Sequence, residues 1–255
     1  MNRYAIIIES SNVAGQTDLP GARADAQNWV AFLKSPLGGS WTDASIKIFS
    51  KPTSAEIEAY LNAFKEYYCF VCFSGHGAHS SSRGTVICLN DNEQNCSVDK
   101  LKPRGSKGTL IVDACRGLEG QRRVRVEKRA ASYYVANAAN EAIKNRLSNF
   151  SASLTNTSRW NIKLDEATIG VVTMYSCGVG EGAGEYAVGD PVQGGFYSLT
   201  LVAVAEEWNK RTPAGNIYFT KDAHDDTVVY FNEAGISQHP EYSPTWISHP
   251  FAVAT

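Results

Sequence analysis

Two short apolar runs near the middle of the chain constrain the fold more than any other feature. YYCFVCFSG (residues 67–75) and GTLIVDAC (residues 108–115) are apolar almost throughout, and each ends at glycine or at polar side chains. Runs of this length are too short for a typical helix, and the lack of polar alternation indicates burial on both faces. Both runs therefore predict central, adjacent strands of a mainly parallel sheet.

Helical patterns alternate with strand patterns along the rest of the chain. Residues 19–35, 52–67 and 194–210 carry apolar side chains at helical spacing, residues 4–9, 45–50 and 168–177 are short β-prone runs, and residues 85–90 form a hairpin arm or an edge strand. This order predicts an α/β fold, a three-layer sandwich in which helices flank a mainly parallel central sheet.

Composition excludes several broad classes of protein. With 255 residues, 43% hydrophobic residues and a net charge of −2, the chain has the profile of a folded domain, not of a disordered or broadly nucleic-acid-binding protein. No apolar run reaches the length of a membrane span, and the first residues lack the apolar core of a signal peptide. We therefore expect a cytoplasmic protein with no membrane and no nucleic-acid partner.

The sequence has six cysteines and no recognisable secretory signal. This combination predicts free thiols in a reducing compartment. A zinc site is the alternative, because Cys69, Cys72, Cys88 and Cys96 include a C-x-x-C pair. However, Cys69 and Cys72 lie in an apolar run without a turn, and residues three apart on a strand face opposite sides. Buried thiols are the better interpretation, and we expect no metal there.

One segment interrupts the alternation of helices and strands. Residues 118–166 are polar and poor in strand-forming side chains, and residues 148–160 (SNFSASLTNTSRW) have the composition of a loop. Near its start the segment carries a basic cluster: Arg122, Arg123, Arg125, Lys128 and Arg129. A long insertion directly after a strand is typical of a functional loop or a tether. The basic cluster also leaves a nucleic-acid-binding module open as an alternative.

Reactive side chains follow both central strands. His76 stands between two glycines after the first strand, and Cys115 follows the second. Because sites in open α/β sheets lie beyond the carboxyl ends of the strands, we expect these side chains to be neighbours. A thiol beside an imidazole is the minimal set for nucleophilic acyl transfer. The alternatives are a turn histidine and an inert core thiol; His79 is a more distant candidate base, and Cys177 is interpreted as structural.

The residues around these strand ends resemble a known family. FSGHG (residues 73–77), followed by LIVDACRG (residues 110–117), is similar to the caspase-fold cysteine peptidases, most of all to their metacaspase and prokaryotic caspase-like branch. LPGARADAQNWVAFL (residues 19–33) resembles the family's opening helix, and residues 175–186 with 194–202 resemble its small-subunit region. Asp113 replaces the glutamine of the caspase signature, and the spacing from histidine to cysteine is shorter than in caspases.

The resemblance implies one peptidase domain over residues 1–255. Residues 1–117 are similar to the large subunit, residues 118–166 to the linker between subunits, and residues 167–255 to the small subunit. In that family Cys115 would be the nucleophile and His76 the proton carrier. The backbone N–H groups of Gly77 and Cys115 would hold the oxyanion.

The resemblance also implies a preference at the residue before the cut. Metacaspases place two acids in the primary pocket, and the matching positions here are Asp25 and Asp113, with Ser74 beside the histidine. Two carboxylates that face one pocket favour arginine or lysine. A clostripain-like or legumain-like peptidase of different specificity is an alternative, as is a catalytically inactive caspase-like module that binds partners.

Control and partners are also implied by the family. The basic cluster stands where caspases are cut between subunits, so we expect a cut within residues 122–129, made by the enzyme itself or by an upstream protease. A solvated basic loop is the alternative. We expect protein or peptide substrates, a monomer in preference to a dimer, and no required cofactor. Calcium stays open, because Asp91, Glu93 and Asp99 lie where many metacaspases bind it. Small prokaryotic relatives act in stress responses or phage defence, and by analogy we expect a role of that kind for this protein.

Overall fold

A computed structural model describes residues 2–118, 153–186 and 192–255 of the chain. The strands are β1 (Arg3–Ser10), β2 (Ile46–Ser50), β3 (Tyr68–Gly75), β4 (Gly77–Ser80), β5 (Gly84–Ile87), β6 (Cys96–Ser97), β7 (Lys107–Asp113), β8 (Gly170–Tyr175), β9 (Glu185–Tyr186), β10 (Gly194–Gly195), β11 (Ile217–Phe219), β12 (Glu241–Ser243) and β13 (Pro250–Val253). The helices are α1 (Pro20–Lys34), α2 (Ser54–Ala63), α3 (Ser153–Glu166), α4 (Phe196–Lys210) and α5 (Thr220–Glu233).

Six strands form the central sheet in the order β12-β8-β7-β3-β1-β2. All neighbours run parallel except β12, which pairs antiparallel with β8 at one edge. The two apolar runs became β3 and β7, which are buried along their whole length and pair with each other in the middle of the sheet. The predicted α/β class and the central position of both strands are therefore confirmed.

The two faces of the sheet pack into separate cores. Ile7, Cys72 and Ile111 join the larger core together with α1, α3, α4 and α5. Cys69 points into the second core, which α2 helps to form on the opposite face. Cys69 and Cys72 therefore lie on opposite faces, as the strand spacing requires, and cannot bind one metal ion together.

A small antiparallel sheet of β4, β5 and β6 covers part of the second face. β5 overlaps the residues predicted to form a hairpin arm or an edge strand (85–90), and it pairs with β4 as such an arm. Within the described residues, no helix has both the length and the apolar character needed to cross a bilayer.

The prediction of a loop at residues 148–160 was wrong from Ser153 onward. Helix α3 begins there and places Trp160 and Leu164 in the larger core, one helical turn apart. The buried Lys107 donates from Nζ to the carbonyl oxygens of Leu164 (2.7 Å) and Asp165 (2.8 Å), satisfying free carbonyls at the end of the helix. The serine- and threonine-rich start of the segment hid this apolar pair, so the last part of the predicted linker packs as core.

Candidate active site

The two reactive side chains predicted from the sequence lie beyond neighbouring strand ends. β3 and β7 pair in register, with Ser74 opposite Asp113. His76 and Cys115 each follow two residues later, so one register carries both to the same edge of the sheet. Gly77 lies against this edge, because a β-carbon added to it would lie 2.7 Å from the carbonyl oxygen of Cys115. This close approach of two backbones requires glycine.

The main chain holds the ring of His76 in one orientation. The residue is buried, and its Nε2 lies 2.6 Å from the carbonyl oxygen of Thr17. Because a carbonyl oxygen only accepts, Nε2 carries the proton, and Nδ1 of the neutral ring keeps the lone pair. A backbone carbonyl thus orients the imidazole. At the more distant candidate base His79, the buried Nδ1 finds no hydrogen-bond partner within the described residues.

Cys115 differs from the other cysteines in its exposure. All six cysteines lie in the described residues as free thiols, and only Cys115 is not buried. Burial raises the pKa of Cys69 and of Cys177 to about 12, which keeps those thiols protonated at neutral pH. The backbone N–H of Ala183 donates to the Sγ of Cys115 over 3.3 Å. Among the six sulfur atoms, this one is placed to meet a substrate.

Asp25 and Asp113 converge on one point beside this edge of the sheet. A β-carbon added to Gly195 would collide with Oδ2 of Asp113 and would lie 3.0 Å from Oδ2 of Asp25. Asp25 is fully buried and accepts hydrogen bonds from Ser74 Oγ (2.6 Å) and from the Gly195 N–H (2.9 Å). Asp113 accepts from the N–H (3.0 Å) and the hydroxyl (2.7 Å) of Ser198. The structure thus brings together the three residues predicted for the primary pocket.

Burial sets the electrostatics of this acid pair. It raises the pKa of Asp25 well above its usual value, and the charge of Asp113 raises it further. Burial also raises the pKa of Asp113, against the opposing effect of its hydrogen bonds from Ser198. Two desolvated carboxylates that face the same point resist simultaneous ionisation. A cation placed between them relieves both the repulsion and the lost solvation.

A third carboxylate near the pair was missed in the sequence. Glu185 lies on β9 directly opposite Gly195, and its Oε1 would lie 2.7 Å from a β-carbon added to Gly21. Gly21 is one helical turn before Asp25 on α1, and the charge of Glu185 contributes to the raised pKa of Asp25. The pairing of β9 with β10 and the contact with α1 bring this acid here, and no local sequence signal indicates it.

Comparison with known proteins agrees with this arrangement. The family model for the caspase domain (Peptidase C14) matches residues 2–250. The chain belongs to the caspase-domain family. A crystal structure of caspase-1 from Spodoptera frugiperda has a similar fold, with a TM-score of 0.53 and 12% sequence identity over 98% of this chain and 87% of that one. No curated protein matches the sequence. As a caspase-domain protein, the chain is a cysteine peptidase, a hydrolase that acts on peptide bonds.

The arginine next to Cys115 is an anchor of this caspase-domain edge. The Arg116 side chain is buried over the ring of Tyr175, at 4.1 Å from its centroid. Its guanidinium donates to Thr85 Oγ1 (3.0 Å), to the Cys177 carbonyl (3.0 Å) and to the carboxylate of Glu241. Because Thr85 lies on β5, Cys177 lies just after β8 and Glu241 lies on β12, Arg116 fixes the chain that follows Cys115 to several elements.

The acids considered for calcium have other partners. Asp91 accepts from the N–H of Ala14 (2.9 Å) and lies 3.6 Å from Lys51. Glu93 accepts from Ser54 at the start of α2, and Asp99 pairs with Lys102. Within the described ranges, no group of three or more His, Cys, Asp or Glu side chains is arranged to hold a metal ion.

The basic cluster lies outside the described residues. Arg122, Arg123, Arg125, Lys128 and Arg129 were predicted as processing sites, and they fall between the described ranges that end at residue 118 and begin at residue 153.

Proposed function

We propose that this protein is a metacaspase-like endopeptidase that cuts after arginine or lysine, with Cys115 as nucleophile and His76 as proton carrier. The observation that carries the proposal is the buried pair of Asp25 and Asp113, beside the strand ends that present His76 and Cys115. A neutral or acidic side chain in that pocket would leave two desolvated carboxylates without compensation.

The proposed chemistry follows from the contacts of the two reactive residues. The Thr17 carbonyl accepts a hydrogen bond from the Nε2–H of His76, so Nδ1 is the atom that takes the thiol proton and later gives it to the departing amine. The thiolate of Cys115 attacks the scissile carbonyl and forms a thioester, which water hydrolyses. The N–H groups of Gly77 and Cys115 would stabilise the oxyanion, and the contact between their backbones supports that assignment.

The acid pair would supply specificity through charge and geometry. Guanidinium offers donors in a planar fork, so it can hydrogen-bond to carboxylates on two sides of one pocket. Leaving a buried charge without its partner costs about 3–5 kcal/mol, which corresponds to a factor of roughly 10² to 4 × 10³ in an equilibrium constant. A substrate with aspartate before the cut would add repulsion to that cost.

A peptide panel tests this proposal. The peptides differ only in the residue before the cut, which is arginine, lysine, citrulline, asparagine or aspartate, and each is assayed with calcium and with a chelator. Citrulline is the matched control because it keeps the shape of arginine without the charge. We expect cleavage after arginine and lysine, weak cleavage after citrulline and none after aspartate. Equal rates for arginine and citrulline, or cleavage after aspartate, would refute the acid pocket. Cleavage after asparagine alone would favour a legumain-like enzyme. The absence of any cleavage would favour a catalytically inactive module that binds partners.

We further propose that processing in the basic cluster controls the enzyme. A peptidase that prefers arginine or lysine can cut its own basic segment, and an upstream protease could cut there instead. Intact-mass analysis compares the native protein, Cys115→Ala, and a variant in which all five basic residues of the cluster become glutamine. A cut within residues 122–129 that Cys115→Ala abolishes indicates self-processing. An uncut but fully active five-glutamine variant would show that the cluster has no role in activation.

The remaining assignments are also proposals. The free state of all six thiols supports a cytoplasmic setting. We propose that the enzyme acts there as a monomer on protein substrates, without a resident cofactor, in a bacterial stress or phage-defence response. An unchanged rate in the chelator arm of the peptide panel supports the absence of a calcium requirement.

A further inference from the structure

The chain between β8 and β9 lies against the nucleophile, and we call residues 176–184 the nucleophile loop. Its Ala183 N–H donates to the Sγ of Cys115 over 3.3 Å, and the Ala183 carbonyl lies 3.7 Å from the same sulfur. The loop also pairs with the neighbouring backbone: the Arg116 N–H donates to the Glu181 carbonyl (2.8 Å), and the Gly180 N–H donates to the Arg116 carbonyl (2.9 Å). The position of this loop therefore determines which backbone groups contact the Sγ of Cys115.

One buried side chain ties both ends of the nucleophile loop together. Gln238 is 4% exposed and precedes β12. Its Nε2 donates to the carbonyl of Ser176 (2.7 Å), and its Oε1 accepts from the N–H of Gly184 (3.0 Å). Both ends of the amide are thus satisfied by the first and last residues of the loop. Gly184 directly follows Ala183, so the second bond fixes the peptide unit next to the one that faces Cys115.

We propose that Gln238 is a positioning residue, which holds the nucleophile loop so that the Ala183 N–H stabilises the thiolate of Cys115. This inference rests on the proposed role of Cys115 as nucleophile. An N–H that points at sulfur favours the charged thiolate over the neutral thiol, because the donor interacts more strongly with an anion. The donor belongs to a loop, so it is effective only when the loop is fixed.

The same contacts would have the opposite effect on Cys115 if the nucleophile loop shielded its Sγ from reagents and substrate. A loop that shields Sγ would lower reactivity, and releasing it would speed both alkylation and turnover. Substitutions at Gln238 separate the two meanings by the sign of their effect. Q238M keeps a long side chain of similar volume without either hydrogen bond, and Q238A removes both bonds without added bulk. N156A is the matched control, because Asn156 is also a buried amide, and it donates to the Pro36 carbonyl (3.3 Å) instead.

The test is the pH profile of iodoacetamide alkylation at Cys115, followed by peptide mapping, with kcat, KM and melting temperature measured on the same samples. For Q238M and Q238A we expect the alkylation midpoint to rise by about one pH unit, and alkylation at neutral pH to slow about tenfold. We expect kcat to fall by a similar factor with KM within about twofold, and N156A to change neither midpoint nor kcat.

Two results would overturn the proposal. The first is an unchanged midpoint and kcat in the Gln238 variants, which would leave Gln238 a purely structural role. The second is faster alkylation and turnover, which would make the loop a cover. If Q238M does not fold, Q238A carries the test. Alkylation needs no substrate, so failure of the proposed peptide specificity does not affect this result, and failure here leaves that specificity intact.

Discussion

The two halves of the active site are built in different ways. Ser74 and Asp113 lie in the last residues of the paired central strands, His76 and Cys115 follow them, and the register of β3 and β7 brings all four together. The other half comes from loops and short strands that follow β8, where the loop residue Ala183 contacts the nucleophile. The strand-end half depends on the best-buried part of the sheet. The loop half depends on single hydrogen bonds between distant residues, so it is the half that can be tuned without disturbing the fold.

The largest expected effect lies in the strand-end half. Cys115→Ala should lower kcat/KM by about 10⁴-fold or more, and His76→Ala by nearly as much, because groups that act as a unit fail together. Turnover is measured with the preferred arginine peptide, and folding by melting temperature. Cys96→Ser is the matched control, since its thiol is buried and should leave turnover unchanged. Substantial activity in Cys115→Ala would move the nucleophile to another cysteine.

The next largest loss of activity is expected when one acid of the primary pocket is neutralised. Asp113→Asn should reduce kcat/KM for the arginine peptide by about 10²-fold or more, while the citrulline peptide loses far less, because only the charge has changed. Asp225→Asn is the control, since Asp225 is a surface acid paired with Lys221. An equal loss for both peptides would assign Asp113 a structural role in place of a specificity role.

Gly195→Ala tests the loop half by shape alone. The φ and ψ of Gly195 are −70° and 144°, which alanine adopts without strain, but the new methyl would press against Asp113 and Asp25. Displacing the acids should cost about 10²-fold in kcat/KM for arginine. Gly117→Ala is the matched control, because nothing lies within 4 Å of its added carbon. Normal cleavage by Gly195→Ala would mean that substrate binds elsewhere.

The smallest effect is expected at Glu185. Its charge raises the pKa of Asp25, so Glu185→Gln should lower that pKa. If the ionised pair binds arginine, activity falls as pH drops through this pKa, and the acid limb of the kcat/KM profile should move to lower pH in the variant. At neutral pH, kcat/KM of the variant should differ from that of the native enzyme by about fivefold or less. Glu207→Gln is the control, since Glu207 is an exposed acid paired with Lys210, and it should leave the profile in place. An unmoved acid limb in Glu185→Gln would show that Glu185 does not act on the pocket.

The same division explains what could be predicted from the sequence. The five parallel strands of the central sheet, helices α1, α2 and α4, and the strand-end residues have local signals: uninterrupted apolar runs, helical spacing and glycines around His76. Helix α5 and the edge strand β12 were not predicted. Helix α3 was missed because its start is rich in serine and threonine, although Trp160 and Leu164 pack in the core. Thr17, Glu185 and Gln238 could not be predicted, since their roles depend on contacts with residues 59, 164 and 54 positions away.

In the proposed mechanism, Cys115 reacts with substrates whose cationic side chain enters the pocket of Asp25 and Asp113. The most direct measurement treats the native protein with two peptidyl acyloxymethyl ketones, one ending in arginine and one in aspartate, and maps the adducts by tandem mass spectrometry. We expect a single adduct at Cys115 with the arginine probe, little labelling with the aspartate probe, and loss of this difference in Asp113→Asn. An adduct at any other cysteine, or equal labelling of the native protein by both probes, would contradict it.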